Sequence, residues 1–198
     1  MRKEIAFFDF DGTISNKDSF IGFIRHSQGL LRFLIGILFL LPVIVGLFTR
    51  VIPNHKAKEI FLIHFFKGMH YDAFKMQCTS FSLHVLPSIV KLDALKKIQW
   101  HKNQNHRVVV VSASVRDWLE PFFSSLGVEV IATELELMNE KLSGHLKTKN
   151  CYGPEKVRRI REVIDTDEYS TIYAYGDTRG DKEMLELANF KFYKHFRK

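Results

Sequence analysis

The sequence predicts an α/β protein in which a parallel sheet is covered by helices on both faces. Continuous β-branched and aromatic runs, typical of strands buried on both sides, occur at Arg107–Ser114 and Thr171–Asp177. Stretches with helical patterning separate such runs, and this alternation is typical of a parallel sheet. A long region after the first run lacks strand signals, so we expect a helical insertion between the first strand and the rest of the sheet.

Each element is predicted from a short pattern. The strands are Lys3–Phe10, Arg107–Ser114, Val128–Thr133, Thr171–Asp177 and, at the sheet edge, Phe190–Tyr193. The helices between them are Ile89–Asn103, Val115–Leu126, Pro154–Ile164 and Lys182–Ala188. Proline at the first position and an acid in the first turn mark the start of the helix at Pro154. Glu134–Lys147 is predicted to be a β-hairpin with its turn at Asn139-Glu140.

A chain of 198 residues is expected to form one domain with a modest insertion. We assign residues 1–15 and 88–198 to the core and residues 16–87 to the insertion. The N-terminal sequence contains no recognisable signal peptide. Cys78 and Cys151 are far apart and show no metal-site or disulfide spacing, which favours a reducing, cytoplasmic compartment.

The charge balance is basic, with 29 Lys and Arg against 22 Asp and Glu, a formal net charge of +7. Such a surplus suits an anionic partner, either a nucleic acid, an acidic membrane surface or a phosphorylated substrate, although a simple solvated basic surface is an equal alternative. No nucleic-acid-binding motif accompanies the charge, so nucleic acid is not an expected partner.

Polar side chains follow three of the predicted strands. Carboxyl ends of parallel strands meet at one edge of a sheet, where ligands bind. The residues concerned are Asp9 and Asp11, Ser112 and Ser114, and Asp177 and Asp181. Four carboxylates at one edge would repel each other unless a divalent cation lay between them, and Mg²⁺ takes oxygen ligands of this kind. The sequence therefore predicts a magnesium site at this edge.

These residues form an ordered set of motifs. DxDGT at Asp9–Thr13, a strand-terminal Ser112, Lys156 at the start of a helix and GDxxxD at Gly176–Asp181 resemble the haloacid dehalogenase (HAD) superfamily of phosphohydrolases. The four motifs stand in the family's order and span nearly the whole chain. The resemblance implies a Rossmann-like core and an Mg²⁺-dependent phosphatase.

The resemblance also implies catalytic roles. Asp9 would be the nucleophile that forms an aspartyl-phosphate. Asp11 would protonate the leaving oxygen and then activate the hydrolytic water. Asp9, Asp177 and the main-chain carbonyl of Asp11 would hold Mg²⁺, with Asp181 acting through a coordinated water.

Three further residues would bind the phosphoryl group or its loop. Ser112 and Lys156 would neutralise the phosphoryl oxygens, and Thr13 would fix the phosphate-binding loop. Taken alone, Ser112 could simply cap a strand end and Lys156 could be a solvated helix residue.

The insertion lies where the phosphoserine phosphatase-like branch of the family carries its helical cap, and Asn150–Ile160 resembles the third motif of that branch. In phosphoserine phosphatases a cap glutamate nine residues after the nucleophile recognises the substrate amino group. Asp18 occupies this position here, one methylene shorter. It could bind a substrate hydroxyl, or it could cap the following helix.

The insertion contains an uncharged apolar run, Phe33–Phe48. It is shorter than the about 20 residues of a bilayer span, and Pro42 interrupts it. A single crossing would also place Asp9 and Asp177 on opposite sides of the membrane. The alternatives are a buried cap helix, a re-entrant hairpin bent at Pro42 and a helix in the membrane interface. Basic flanks favour association with the cytoplasmic membrane face.

A membrane-associated cap would suit a phosphorylated lipid. The sequence most resembles the bacterial phosphatidylglycerophosphatase group, which implies phosphatidylglycerophosphate as substrate. The alternatives are a soluble phosphomonoester such as phosphoserine and a catalytically silent membrane adaptor, against which the intact acidic motifs argue. The motifs do not exclude phosphotransfer to an alcohol in place of water, and they do not specify an oligomeric state.

Overall fold

The computed structural model describes residues 3–197 and contains the predicted parallel sheet; residues 1–2 and 198 of the predicted core lie outside the described residues. Five strands pair in parallel in the order β3-β2-β1-β6-β7. They are β1 (Lys3–Phe8), β2 (Arg107–Val115), β3 (Glu129–Thr133), β6 (Tyr169–Gly176) and β7 (Phe190–Tyr193). The predicted hairpin forms separately from β4 (Leu135–Met138) and β5 (Lys141–Leu146). The predicted strands, including the edge strand β7, are confirmed, although β1 ends at Phe8 and not at Phe10, because the chain turns at Phe10–Ile14.

Nine α-helices occur within residues 3–197: α1 (Ser19–Phe39), α2 (Leu41–Phe48), α3 (Asn54–Phe66), α4 (Tyr71–His84), α5 (Leu86–Ile89), α6 (Leu92–Asn103), α7 (Arg116–Ser125), α8 (Pro154–Val163) and α9 (Lys182–Leu187). The predicted helix from Ile89 starts three residues late, at Leu92. The cause is Val90, which pairs with Ser15 in an isolated bridge and so takes an extended conformation.

Helices cover both faces of the sheet, and the alternation of side chains along β1 shows this directly. Ala6 and Phe8 belong to one buried cluster, which includes Trp118 of α7. Ile5 and Phe7 belong to the opposite cluster, which includes Ile160 of α8. The central strand is therefore buried on both sides, which explains its continuous apolar sequence.

Helices α1 to α5 occupy the region predicted as the insertion. Its two connections to the sheet run side by side, because the amide of Asn16 donates to the carbonyl of Ile89 at 2.8 Å. Aromatic packing holds the helices on the core: Phe23 of α1 stacks on Trp118 of α7 with 4.5 Å between ring centroids. Phe23 also meets the edges of Phe74 and Phe81 from α4. The insertion therefore has an apolar interior shared with α7.

The apolar run forms the second half of α1 and all of α2. Gly29, at φ 74°, interrupts α1 just before the run, and α1 and α2 meet at a bend of 62°. Pro42 stands in the first turn of α2, where a missing N–H costs nothing. Among the described residues no helix could cross a bilayer on its own; the bent α1–α2 pair meets the length and composition requirement jointly.

One face of this run is exposed, although Leu40 is buried and Phe33 and Ile37 pack on the core, so the buried-helix alternative is wrong. Leu38, Phe39 and Phe48 are 66%, 71% and 83% exposed. The inner face of this segment packs against α3. Gly36 lies so close to the ring of Phe65 that no side chain would fit there. The insertion is thin, and this leaves no second layer to cover the outer face.

Candidate active site

The candidate site lies at the carboxyl end of the central strands, where β1 and β6 end next to each other. The amide of Asp9 donates to the carbonyl of Tyr175 at 2.9 Å, which fixes the start of the loop after β1. Gly12 in this loop has φ 88°, and a Cβ there would lie 2.5 Å from Oδ2 of Asp177. Only glycine allows this close approach.

Three carboxylates converge at this point. Oxygens of Asp9, Asp177 and Asp181 lie within 4.8 Å of one another, and all three residues are buried. Buried acids at such distances require positive charge. The donor set consists of carboxylate oxygens, which suits a hard divalent cation. These residues could therefore hold a metal ion. They lie at the edge of the sheet where the sequence predicts a magnesium site.

Within the described residues, Lys156 supplies positive charge to two of these carboxylates, Asp9 and Asp181, and Arg197 pairs with Asp177. Its ammonium donates to Asp9 Oδ1 at 2.6 Å, to Asp181 Oδ1 at 2.7 Å and to the carbonyl of Val111 at 2.7 Å. Burial alone lowers the pKa of Lys156, but the two carboxylates outweigh it and hold the pKa above its ordinary value. Lys156 is thus a fully bonded cation and not a solvated helix residue.

Asp9 keeps one oxygen free. Oδ1 is bonded to Lys156, whereas Oδ2 has no hydrogen-bond partner among residues 3–197. Burial raises the pKa of Asp9 to about 7, against the lowering effect of Lys156. A cation bound to the cluster would lower this pKa and favour the ionised form. An ionised carboxylate with a free oxygen is suited to nucleophilic attack.

The carboxylate of Asp11 is directed away from the acid cluster. It accepts from the amide of Ser19 at 2.7 Å, from Ser19 Oγ at 3.1 Å and from Ser114 Oγ at 2.5 Å. Burial, followed by the charge of Asp18, raises the pKa of Asp11 to about 6. A carboxyl group with a raised pKa is suited to proton transfer near neutral pH. Of Asp11, only the main chain remains available to a metal ion.

The remaining predicted residues lie at or beside the site. Ser112 is buried, and its Oγ accepts from the amide of Ser114 at 3.0 Å. Thr13 donates to Asp177 Oδ1 at 3.1 Å, so its hydroxyl orients a carboxylate of the cluster and does not face the cavity described below. Asp18 accepts from the amide of Ile21 and caps α1, and it also lines that cavity.

A cavity of about 350 Å³ connects the acids with the insertion. One end is lined by Asp9, Asp11, Ser112, Ser114, Lys156 and Asp181. The other end is lined by Asp18, Phe20, Ile21, Leu47, Lys58 and Phe61 of the insertion. A substrate bound here would touch both parts of the protein.

Sequence reasoning missed four polar contacts. Ser114 and Ser19 bond Asp11, Lys58 enters the cavity from α3, and Arg197 donates to Asp177 Oδ2 at 2.7 Å. The sequence already placed Ser114 at this edge of the sheet, but not its bond to Asp11. Neither Ser19, Lys58 nor Arg197 lies in a motif, and their contacts arise only from tertiary packing.

Comparison with known proteins agrees with this geometry. The chain is 35% identical to Protein CicA of Caulobacter vibrioides over 193 residues, which are 96% of this chain and 85% of that protein. A solved structure of a protein with unknown function from Bordetella pertussis matches with a TM-score of 0.82 at 17% identity, covering 95% of this chain and 88% of that one.

A substrate-bound phosphoserine phosphatase also shares the fold, with a TM-score of 0.67 at 16% identity over 98% of this chain and 86% of that one. Residues 6–186 match the haloacid dehalogenase-like hydrolase family, a range that contains every predicted motif residue. The chain therefore belongs to the haloacid dehalogenase-like hydrolases, as its motifs predicted, and is an enzyme with the fold of solved phosphatases.

Proposed function

We propose that the protein is an Mg²⁺-dependent phosphomonoesterase that works through an aspartyl-phosphate and acts on a phospholipid, with phosphatidylglycerophosphate as the substrate. The observation that carries the proposal is a single cavity joining the Asp9 cluster to the apolar segment of the insertion. The acids account for the chemistry, and the apolar segment accounts for the lipid.

In the first step, Oδ2 of Asp9 attacks phosphorus and the bond from phosphorus to the substrate oxygen breaks. Asp11 donates its proton to that leaving oxygen, so that an alcohol departs. In the second step, Asp11 takes a proton from water, which attacks the aspartyl-phosphate and releases phosphate and free Asp9. Lys156 and Ser112 bind the phosphoryl oxygens, where negative charge develops.

Asp9, Asp177 and Asp181, with the main-chain carbonyl of Asp11, would hold Mg²⁺. The bound ion supplies positive charge that offsets the phosphoryl oxygens and the clustered carboxylates. Lys156 offsets the same charge from the protein side, so residues and ion would act together.

The exposed face of α1 and α2 supports docking on a membrane. Its apolar side chains recur at helical spacing on the outer side: Leu30, Leu31, Leu34, Ile35, Leu38, Phe39, Leu41, Val45 and Phe48. The exposed residues Arg25 and Arg50 flank this face, and the exposed Arg32 lies within its sequence. An apolar face with basic flanks is typical of helices that lie in the interface of an anionic membrane. We infer this arrangement on the cytoplasmic side, and not a re-entrant loop.

The position of the cavity supports a lipid headgroup as its ligand. Leu47 belongs to α2, yet it lines the same cavity as Asp9. A phosphomonoester could therefore reach the acids while its acyl chains remain beside α2 in the bilayer. The soluble alternative, phosphoserine, is favoured by the fold similarity to phosphoserine phosphatase and by Asp18, which could bind an amino group.

Substrate preference tests the proposal. With Mg²⁺ present, we expect kcat/KM for vesicles containing phosphatidylglycerophosphate to exceed that for phosphoserine on the order of 100-fold, the discrimination that differences in apolar contact provide. Release of inorganic phosphate measures both reactions, and chelation of divalent ions should stop both. Faster hydrolysis of phosphoserine would exclude the lipid proposal in favour of the soluble alternative.

Membrane docking has its own test in flotation with anionic liposomes. The wild-type protein should float, whereas the double variant Leu31→Glu/Leu38→Glu should stay at the bottom of the gradient. Burying each leucine is worth about 1.5–3 kcal/mol, so the double variant should bind at least about 100-fold more weakly. Leu92→Glu, an equally exposed leucine on α6, is the matched control and should float. Equal flotation of all three proteins would contradict the proposal that the exposed face of α1 and α2 docks on the membrane.

A further inference from the structure

Lys58 is a cation in the substrate cavity that lacks a carboxylate partner. It is partly buried on α3, and its ammonium donates to the carbonyl of Ala113 at 2.7 Å and to Oδ1 of Asn150 at 3.0 Å. Both acceptors are neutral. Across residues 3–197, no Asp or Glu oxygen lies within ion-pair distance of this ammonium.

The environment of Lys58 makes its charge costly. Burial lowers the pKa of Lys58 to about 8, and the more distant charges of Asp11 and Asp18 offset only part of that effect. The ring of Phe20 lies 5.5 Å from the ammonium and adds a weak attraction. An ammonium has three N–H donors, so a third remains available beyond the two used by Ala113 and Asn150. A partly buried cation with a spare donor is suited to binding an anion.

Two lysines thus serve different parts of the cavity. Lys156 is bonded to Asp9 and Asp181, where the transferred phosphoryl group would lie. The side chain of Lys58 extends from the insertion to the carbonyl of Ala113, between Ser112 and Ser114, so its ammonium lies where the core end and the insertion end of the cavity meet. Its charge is not required to compensate the acid cluster, because Lys156 is already there.

We propose that Lys58 binds a second negatively charged group of the substrate, separate from the phosphoryl group that is transferred. The ligand class is a phosphomonoester that carries a phosphodiester a few bonds away. This inference rests on the proposed phosphatase function and deepens it, because it selects substrates with two anionic groups over those with one.

The surroundings favour a phosphodiester over a carboxylate. Beyond Lys58 the cavity is lined by the apolar residues Phe20, Phe61 and Leu47. A phosphodiester can link the anionic site to a lipid on this apolar side, whereas a free amino acid ends at its carboxylate. Lys58 would then place the phosphomonoester at the correct distance from Asp9.

The test compares three soluble substrates of the full-length protein with Mg²⁺, so that membrane docking does not enter. Glycerophosphoglycerol phosphate carries a second anion as a phosphodiester, phosphoserine carries it as a carboxylate, and para-nitrophenyl phosphate has none. In Lys58→Met, we expect kcat/KM for glycerophosphoglycerol phosphate relative to para-nitrophenyl phosphate to fall at least about tenfold, mainly through KM. Lys58→Arg should restore part of that ratio.

The exposed neighbour Lys56 on the same helix provides the matched control, and Lys56→Met should keep the wild-type ratio. If Lys58 only held the insertion on the core through Ala113, Lys58→Met would lower kcat/KM for all substrates equally. An unchanged ratio, or a loss confined to phosphoserine, would overturn the phosphodiester site. Lys58→Met could show the expected fall in this ratio while the wild-type protein shows no activity on lipid vesicles. That result would refute the lipid substrate and leave the role of Lys58 intact.

Discussion

Replacing Asp9 with asparagine is expected to abolish phosphate release, lowering kcat by at least about 10⁴-fold. An amide cannot form the covalent phosphoryl intermediate, and the substitution also removes one oxygen ligand from the group of Asp9, Asp177 and Asp181. The effect should be the same with every substrate, because the same oxygen of Asp9 attacks phosphorus whatever the leaving group is. Release of inorganic phosphate from para-nitrophenyl phosphate measures the loss.

The fold should survive this change. In Asp9→Asn, Lys156 retains its bonds to Asp181 and to the carbonyl of Val111, so no charge is left buried without a partner. Circular dichroism and thermal unfolding should therefore match the wild type. Asp72→Asn, a similar change on the exposed surface of α4, should keep full activity. Residual turnover of Asp9→Asn within tenfold of the wild type would remove Asp9 from the nucleophilic role.

The sheet could be predicted because its strands carry a local signal. Arg107–Val115 is buried on both faces, and only a continuous apolar run satisfies that environment. The convergence of Asp9, Asp177 and Asp181 followed from topology, because parallel strands end at one edge. Predicting that these three side chains converge required no information about how the insertion folds. The position of this part of the site therefore follows from the order of the strands and motifs in the sequence.

The partners of Asp11 and the role of Lys58 could not be predicted in this way. Ser19 and Lys58 reach the site only because the insertion folds over the edge of the sheet. Such contacts depend on how α1 packs on α7 and α3 packs on β5, and helical periodicity does not specify that packing. The sequence also left open whether Phe33–Phe48 was buried. The close contact of Gly36 with Phe65 decided this, since it turns one face inward and exposes the other.

Replacing Lys156 with methionine is expected to destabilise the protein in a way that depends on metal. Without divalent ions, the change leaves Asp9 and Asp181 buried without a cation, and breaking a buried pair of this kind costs about 3–5 kcal/mol. The free energy of unfolding, measured by urea titration with a chelator, should fall by that amount. Removing the positive charge also strengthens the negative field of the acid cluster, which favours cation binding.

Saturating Mg²⁺ should therefore recover part of the stability of Lys156→Met, because an ion that binds only the native cluster stabilises it by mass action, by about 2.7 kcal/mol at 100 times its dissociation constant. Activity should stay low even so, since Ser112 alone would then neutralise the phosphoryl oxygens from the protein side. Lys182→Met, which removes an exposed lysine of α9, should lose little stability in either condition. If Lys156→Met lost the same free energy with and without Mg²⁺, the acids would not be sharing a cation, and the magnesium-dependent mechanism would fail with them.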